Sequence, residues 1–130
     1  MSNPVKATLS EPTRLLFHVA ARSHTLRETF GIEIEDWENY KISFAGIPRP
    51  WLVPHPIRRD EFSFDPDMFA TRLLACSDGQ RHMFLWILNV WNESYACSKG
   101  WQFDLFKALN TLDAENRQAI AWWLEHPVWP

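Results

Sequence analysis

The stretch from Gln80 to Asn92, QRHMFLWILNVWN, decides the fold that we predict for this chain. Its apolar side chains recur at intervals of three and four residues, the spacing of a helix face, and further apolar residues fill much of the opposite side. These residues are Met83, Phe84, Leu85, Trp86, Ile87, Leu88, Val90 and Trp91. A helix that is apolar almost all round belongs at the centre of a fold, so we expect the other elements to pack around it.

The sequence before this helix predicts a second helix and a short turn. Asp65 and Pro66 are a strong helix start, because an acidic cap is followed by proline at the first helical position. Apolar residues at helical spacing then continue to Cys76. The sequence Ser77-Asp78-Gly79 interrupts that helix and supplies a cap for the central one.

The sequence after the central helix predicts a loop and two shorter helices. We expect the loop over Tyr95 to Gly100 and a short helix that starts around Asp104. The last helix is expected to begin between Thr111 and Asp113 and to run to about Glu125. Asp104 and Asp113 are natural N-caps. Pro127 ends the last helix, because the residue before a proline avoids helical geometry.

The first half of the chain divides into an amphipathic helix and a proline-rich segment. Ser10 to Phe30 shows helical spacing, with Ser10 as its cap and Gly31 as its stop. Residues 44–64 include prolines at positions 48, 50, 54 and 56, which fix φ and remove amide donors. We expect this segment to be extended and irregular. The interpretation that we favour packs Trp51 against the core, and the alternative leaves Trp51 free for binding.

These patterns predict an all-α protein of about five helices around a Trp- and Phe-rich core, with residues 44–64 as an irregular insertion in a single domain over residues 1–130. The expected core aromatics are Phe69, Phe84, Trp86, Trp91, Phe103 and Phe106. The only candidate strand sequences are Lys41 to Phe44 and Glu61 to Phe64, which are short and alternating. The alternative is therefore an α+β fold with a small two-stranded hairpin around residues 41–64.

Composition limits the classes of function. The 130 residues include 9 Phe, 8 Trp and 2 Tyr, and the formal net charge is −3. So aromatic a chain is not disordered, and an acidic balance disfavours broad electrostatic binding to nucleic acid. No apolar run approaches the roughly 18 residues that a membrane span needs. We expect a cytoplasmic protein without a membrane partner.

No arrangement of residues suggests catalysis, a cofactor or a metal site. The sequence has no glycine-rich phosphate loop and no hydrolase elbow. Its five histidines are scattered, and the spacing of Cys76 and Cys97 fits neither a redox pair nor a zinc pair. We predict that the protein is not an enzyme and that it has no cofactor and no metal.

One part of the chain, from Leu73 to Asp113, is similar to a known family. The residues that carry the likeness are Gly79, Gln80, Arg81, Phe84, Leu85, Trp91, Asn92, Phe103, Asp104, Leu105 and Asp113. They resemble the pattern of a small bacterial family, with no assigned activity, that is found on integrative and conjugative elements and related mobile DNA. The resemblance implies a genomic setting and no mechanism. Its polar members, Gln80, Arg81, Asn92, Asp104 and Asp113, are candidate motif residues.

The surplus of tryptophans predicts protein binding, because Trp, Tyr and Arg dominate binding hot spots. We expect a protein that binds another protein, as an inhibitor or anti-defence factor that a mobile element directs at a host protein; a homodimer is a simpler variant. The candidate contact residues are Trp51, Arg58, Arg59, Trp122, Trp123 and Trp129. The alternative is a nucleic-acid accessory protein that uses Arg49, Trp51, Arg58 and Arg59 as a basic aromatic patch.

Overall fold

A computed structural model of the chain describes residues 16, 18–30, 48–58, 62–127 and 129. The helices with described bounds are α1 (His24–Phe30), α2 (Pro66–Ala75), α3 (Asp78–Ser98), α4 (Leu105–Thr111) and α5 (Ala114–Glu125). A 3-10 turn (Arg49–Trp51) leads into strand β1 (Leu52–Pro54), which pairs with β2 (Phe62–Phe64). The structure is mostly helical with a small antiparallel sheet, so the predicted all-α class is confirmed and the ribbon of the alternative is also present.

The caps that begin α2, α3, α4 and α5 are the ones that the sequence predicts. The Asp65 carboxylate accepts from the first N–H groups of α2, and Ser77 forms a capping box at the start of α3. Asp104 accepts from Lys107 N at 3.0 Å, and Asp113 accepts from Asn116 N at 2.9 Å. Each side chain satisfies a backbone donor that the helix itself leaves unpaired.

The central helix α3 is longer than predicted, and the expected loop over Tyr95 to Gly100 is wrong. Asn92 has non-helical dihedrals (φ −159°, ψ 91°), and a second helical stretch continues to Ser98. The Asn92 Oδ1 atom accepts from Tyr95 N at 3.0 Å. Asn92 therefore acts as an N-cap inside α3, and the helix resumes after a kink instead of ending.

The first predicted helix, Ser10 to Phe30, is interrupted. Leu16 and residues 18–20 are helical, residues 21 and 22 form a turn, and α1 begins at His24. Ser23 Oγ accepts from Leu26 N at 3.1 Å, which is the bond of an N-cap. The Ser23 side chain thus takes a backbone donor and begins a new helix, so two helices are present where one was predicted. The expected start at Ser10 lies outside the described residues.

The proline-rich segment was expected to be irregular, but part of it has regular structure. Trp51 N donates to Pro48 O at 3.0 Å and closes the 3-10 turn, and Leu52 then faces Phe64 in the antiparallel ribbon. The strand that pairs with residues 62–64 is thus the proline segment itself. The stretch from Lys41 to Phe44, which we expected as a candidate strand, lies outside the described residues.

The buried apolar residues form one cluster, centred on α3. The largest side chains in it that are fully buried are Trp51, Phe69, Leu16, Leu26, Met83, Ile87 and Leu88. α1 packs against α3 and α5, and α4 packs against α3. No helix within the described residues is long and apolar enough to cross a membrane.

Candidate functional site

Trp51 is the predicted contact residue that the structure places in the core. Its side chain has no exposed surface, and its ring lies edge-on to Phe69 at 4.8 Å and to Phe84 at 5.4 Å between centroids. The prediction that Trp51 contacts a partner is therefore wrong, and the packing interpretation is right. The physical reason is that the 3-10 turn directs the indole inward, where an edge-to-face aromatic cluster receives it.

The predicted basic aromatic patch loses its aromatic member with Trp51. Arg58 is exposed, and its backbone N–H donates to His55 Nδ1 at 3.0 Å. Arg59 and the side chain of Arg49 lie outside the described residues. Because Trp51 is buried, it cannot stack on a base beside Arg58. The nucleic-acid alternative required such a stacking surface.

The motif residues Gln80 and Arg81 have local roles at the start of α3. Gln80 Oε1 accepts from Ser77 N at 3.0 Å and completes the capping box. Arg81 is half-buried beside the Cys76 thiol. Burial raises the pKa of that thiol, and the positive charge of Arg81 offsets part of the rise. Gln80, Asn92, Asp104 and Asp113 are thus explained by their roles in helix capping, whereas Arg81 acts on the Cys76 thiol.

The two tryptophans of α5, Trp122 and Trp123, lie on different sides of the helix. Trp122 stacks on His126 at 4.4 Å between centroids, and the Arg22 guanidinium lies 4.3 Å from its ring centroid. Trp123 instead lies edge-on to Trp86 of α3, at 5.8 Å. Trp122 is thus held by a cation–π contact and a stacked ring, whereas Trp123 points toward α3.

Trp129 extends the aromatic contact of Trp123 to the surface. Its ring lies 5.6 Å from that of Trp123, at 78° to it, and 63% of the residue is exposed. The exposed fraction increases along these three contacting rings, from Trp86, which is 3% exposed, to half-buried Trp123 and then to Trp129. Because consecutive rings are nearly perpendicular, the three indoles form a corner rather than a flat stack.

A groove opens at this corner, between α3, α4, α5 and Trp129; we call it the tryptophan groove. It has a volume of about 320 Å³. Besides the three tryptophans, it is lined by Asn89, Val90, Glu93, Phe103, Leu105, Ile120 and Leu124. The size is that of a pocket for a small ligand or for one or two side chains of a partner.

The turn after α3 brings Phe103 to the groove. Gly100 has φ 76°, and Gly100 N and Trp101 N donate to Cys97 O at 3.1 Å and Ala96 O at 2.9 Å. This pair of bonds is a Schellman motif, which reverses the chain at the end of a helix. Asn89 Nδ2 donates to Trp101 O at 2.8 Å and fixes the returning segment against α3.

No protein-family model, curated protein or solved structure matches the chain. The function of the groove therefore has to be inferred from its own chemistry. Most of its described lining is apolar, and Glu93 is the one charged residue in that lining. Within the part of the chain that the structure describes, no three His, Cys, Asp or Glu side chains are grouped so as to hold a metal ion.

Exposed apolar side chains continue from the groove over α4. Leu105 and Leu109 lie one helical turn apart, so they share a face, and they are 38% and 46% exposed. Phe106 is 81% exposed, so the prediction that it belongs to the core is wrong. Leu124, at the groove on α5, is 57% exposed. We refer to Leu105, Phe106, Leu109 and Leu124 as the apolar rim.

Two residues of the groove could be predicted from the sequence, and most of the others could not. Trp123 and Trp129 were predicted as contact residues, and both line it. Asn89, Glu93 and the apolar rim were not predicted. The available signal was the Leu105 to Leu109 spacing, which indicates an apolar helix face but does not tell whether the protein itself covers that face.

Proposed function

We propose that this protein acts by binding another protein, without catalysis, and that the tryptophan groove and the apolar rim are its binding face. The observation that carries the proposal is the distribution of exposed apolar residues. Among the described residues seven large hydrophobic side chains are exposed, and five of them are Trp129 and the four of the apolar rim. Leu105, Leu124 and Trp129 line the groove, and Leu109 lies one helical turn from both Leu105 and Phe106 on α4. Exposed apolar side chains that neighbour one another in this way are typical of a protein interaction site.

The composition of the face supports binding rather than a chance exposure. Interfaces carry most of their binding energy in a few anchors, among which Trp is the most enriched type together with Tyr and Arg. Trp129 is already packed against Trp123, so its ordering on binding costs less entropy than that of a free side chain. Fully burying a side chain such as Phe106 or Leu124 is worth about 1.5–3 kcal/mol.

The resemblance to a family of mobile elements leads us to propose a host protein as the partner. An inhibitor or anti-defence factor works by occupying a surface of its target, which needs no catalytic residues. The net charge of −3 and the burial of Trp51 both count against the nucleic-acid alternative. A second copy of this chain is the other protein that the same face would accept.

The test is retention of a partner by tagged protein expressed in the cells it comes from. We expect a stoichiometric partner that wild-type protein retains and that Phe106→Lys and Leu124→Lys lose, because each places a charge in the apolar rim. Leu74→Lys is the matched control, since Leu74 is 82% exposed on α2 and does not line the groove. Light scattering of the purified protein reports self-association in the same variants.

Three outcomes would contradict the proposal. The first is that no stoichiometric partner is found and the protein is a monomer in solution. The second is that the Phe106→Lys and Leu124→Lys variants retain the partner as well as wild type does. The third is that Leu74→Lys loses the partner to the same extent as those two variants. Far-ultraviolet circular dichroism of each variant confirms that the fold is intact before binding is compared.

A further inference from the structure

The polar groups of the tryptophan groove favour one kind of ligand group. Asn89 and Glu93 are the polar side chains in its lining, apart from the indole N–H groups. Trp86 and Asn89 lie three residues apart and so share a side of α3, and Glu93, just after the kink at Asn92, lines the same groove. What these two side chains offer determines which partner group the groove would accept.

Both N–H groups of the Asn89 side-chain amide already donate hydrogen bonds within the protein. Its Nδ2 donates to Leu85 O and to Trp101 O, both at 2.8 Å. An amide nitrogen has two hydrogens, so both are engaged by backbone carbonyls. The group that Asn89 retains for a ligand is its Oδ1 acceptor.

Glu93 adds a second acceptor and a negative charge. It is exposed, and no ion pair between described residues engages it. Among the described residues that line the groove, Glu93 alone is charged. A ligand that enters therefore meets a carboxylate, an amide oxygen and the surfaces of three indoles, and the described lining places no cation beside them.

Indole faces attract cations, and one such contact is present between described residues of this chain. The Arg22 guanidinium lies 4.3 Å from the Trp122 ring centroid, on the residue next to Trp123. A guanidinium is planar, so it stacks on an indole and still directs its N–H groups at a carboxylate. An ammonium group of lysine is more strongly hydrated and does not stack.

We propose that the tryptophan groove receives an arginine side chain from the protein partner, carried on an otherwise apolar segment. The guanidinium stacks on the exposed indole of Trp129, in the corner that this ring makes with Trp123, and pairs with Glu93. Flanking apolar side chains of the segment cover the rim. This proposal rests on the proposed function, since it names the chemistry of the partner at the same face.

The experiment compares two peptides that differ only in charge. The probes are acetyl-Leu-Arg-Leu-amide and acetyl-Leu-citrulline-Leu-amide, in which citrulline is the neutral isostere of arginine. Each is titrated into the full ¹⁵N-labelled chain, and the indole N–H signals are followed by NMR, with Trp123→Phe and Trp129→Phe variants to assign them. We expect the arginine peptide to shift the signals of both tryptophans and to bind about fivefold more tightly than the citrulline peptide.

Glu93→Gln should remove that preference, because it deletes the charge and keeps the shape. Glu28→Gln is the matched control: it makes the same change of net charge on α1, at an exposed residue that does not line the groove. Equal affinities for the two peptides, or a preference that survives Glu93→Gln, would overturn the inference. A cellular partner that Leu124→Lys loses and Glu93→Gln retains would overturn it while leaving the proposed function in place.

Discussion

Replacing Ser23 and Asn116 by alanine, singly and together, tests the junction that holds α1 against α5. Ser23 Oγ donates to Asn116 Oδ1, and both residues are buried although they are far apart in the sequence. Ser23 Oγ also accepts from Leu26 N, and Asn116 Nδ2 donates to Thr25 Oγ1, each at 3.1 Å. Each alanine therefore removes two hydrogen bonds, one of which the two residues share.

The expected losses of unfolding free energy follow from that sharing. The N-cap bond of Ser23 is worth about 1 kcal/mol, and each of the other two bonds is worth about 1 kcal/mol. Ser23→Ala and Asn116→Ala should each cost about 2 kcal/mol, because each removes two bonds. The double variant removes three bonds, so it should cost about 3 rather than about 4 kcal/mol, which is a coupling energy of about 1 kcal/mol.

Urea denaturation followed by circular dichroism measures the four free energies at a constant m-value. The control is Asn110→Ala, an exposed asparagine of α4, which should change stability by less than about 0.5 kcal/mol. Strictly additive losses, with a coupling energy below about 0.3 kcal/mol, would show that Ser23 and Asn116 do not interact and would refute the reasoning.

Three further predictions concern single positions. Trp51→Ala should cost about 3–5 kcal/mol in urea unfolding, as a core substitution does, and a loss under about 0.5 kcal/mol would instead indicate a surface residue. Asn92→Ala should cost about 1 kcal/mol by removing the cap on Tyr95 N, and an unchanged denaturation midpoint would contradict that role. Cys97 is exposed, whereas burial raises the pKa of Cys76, so at pH 8 iodoacetamide should modify Cys97 about tenfold faster. The modification rate of Cys76 should still be rising above pH 9. Mass spectrometry measures both rates, and equal rates would contradict the expected difference between the environments of the two thiols.

Helix starts could be predicted from the sequence because their chemistry is local. An aspartate or serine accepts a hydrogen bond from a residue two or three positions later, so Asp65, Ser77, Asp104 and Asp113 carry the whole signal within a few residues. The same local chemistry at Ser23 was missed, because the apolar spacing on either side continues across it. The periodicity indicated one helix where a cap makes two.

The identity of the surface residues could not be predicted in the same way. Phe106 was expected inside and is exposed, whereas Trp51 is buried, as the favoured of its two interpretations had it, although it was also a candidate contact residue. Both are large aromatic side chains, and helical spacing indicates which residues share a face without indicating what covers that face. Coverage depends on how α4 and the 3-10 turn lie against the rest of the fold, which is a tertiary property.

The start of α5 determines which part of the helix is available for binding. His24 N donates to Glu115 Oε1, and Arg27 Nη2 lies 3.7 Å from the same oxygen. With the Asn116 bonds, these contacts fix the first turn of α5 against the N-terminus of α1. A helix held at its first turn has a fixed rotation about its axis, so the positions of its later side chains follow.

That rotation separates two tryptophans which the sequence presents as a pair. Neighbouring residues on a helix point about 100° apart, so Trp122 and Trp123 could not both face α3. The junction places Trp122 beside Arg22, where the cation and His126 hold it, and leaves Trp123 at the groove. A protein-binding face built on Trp123 would therefore depend on Asn116, a buried polar residue that does not itself line the groove.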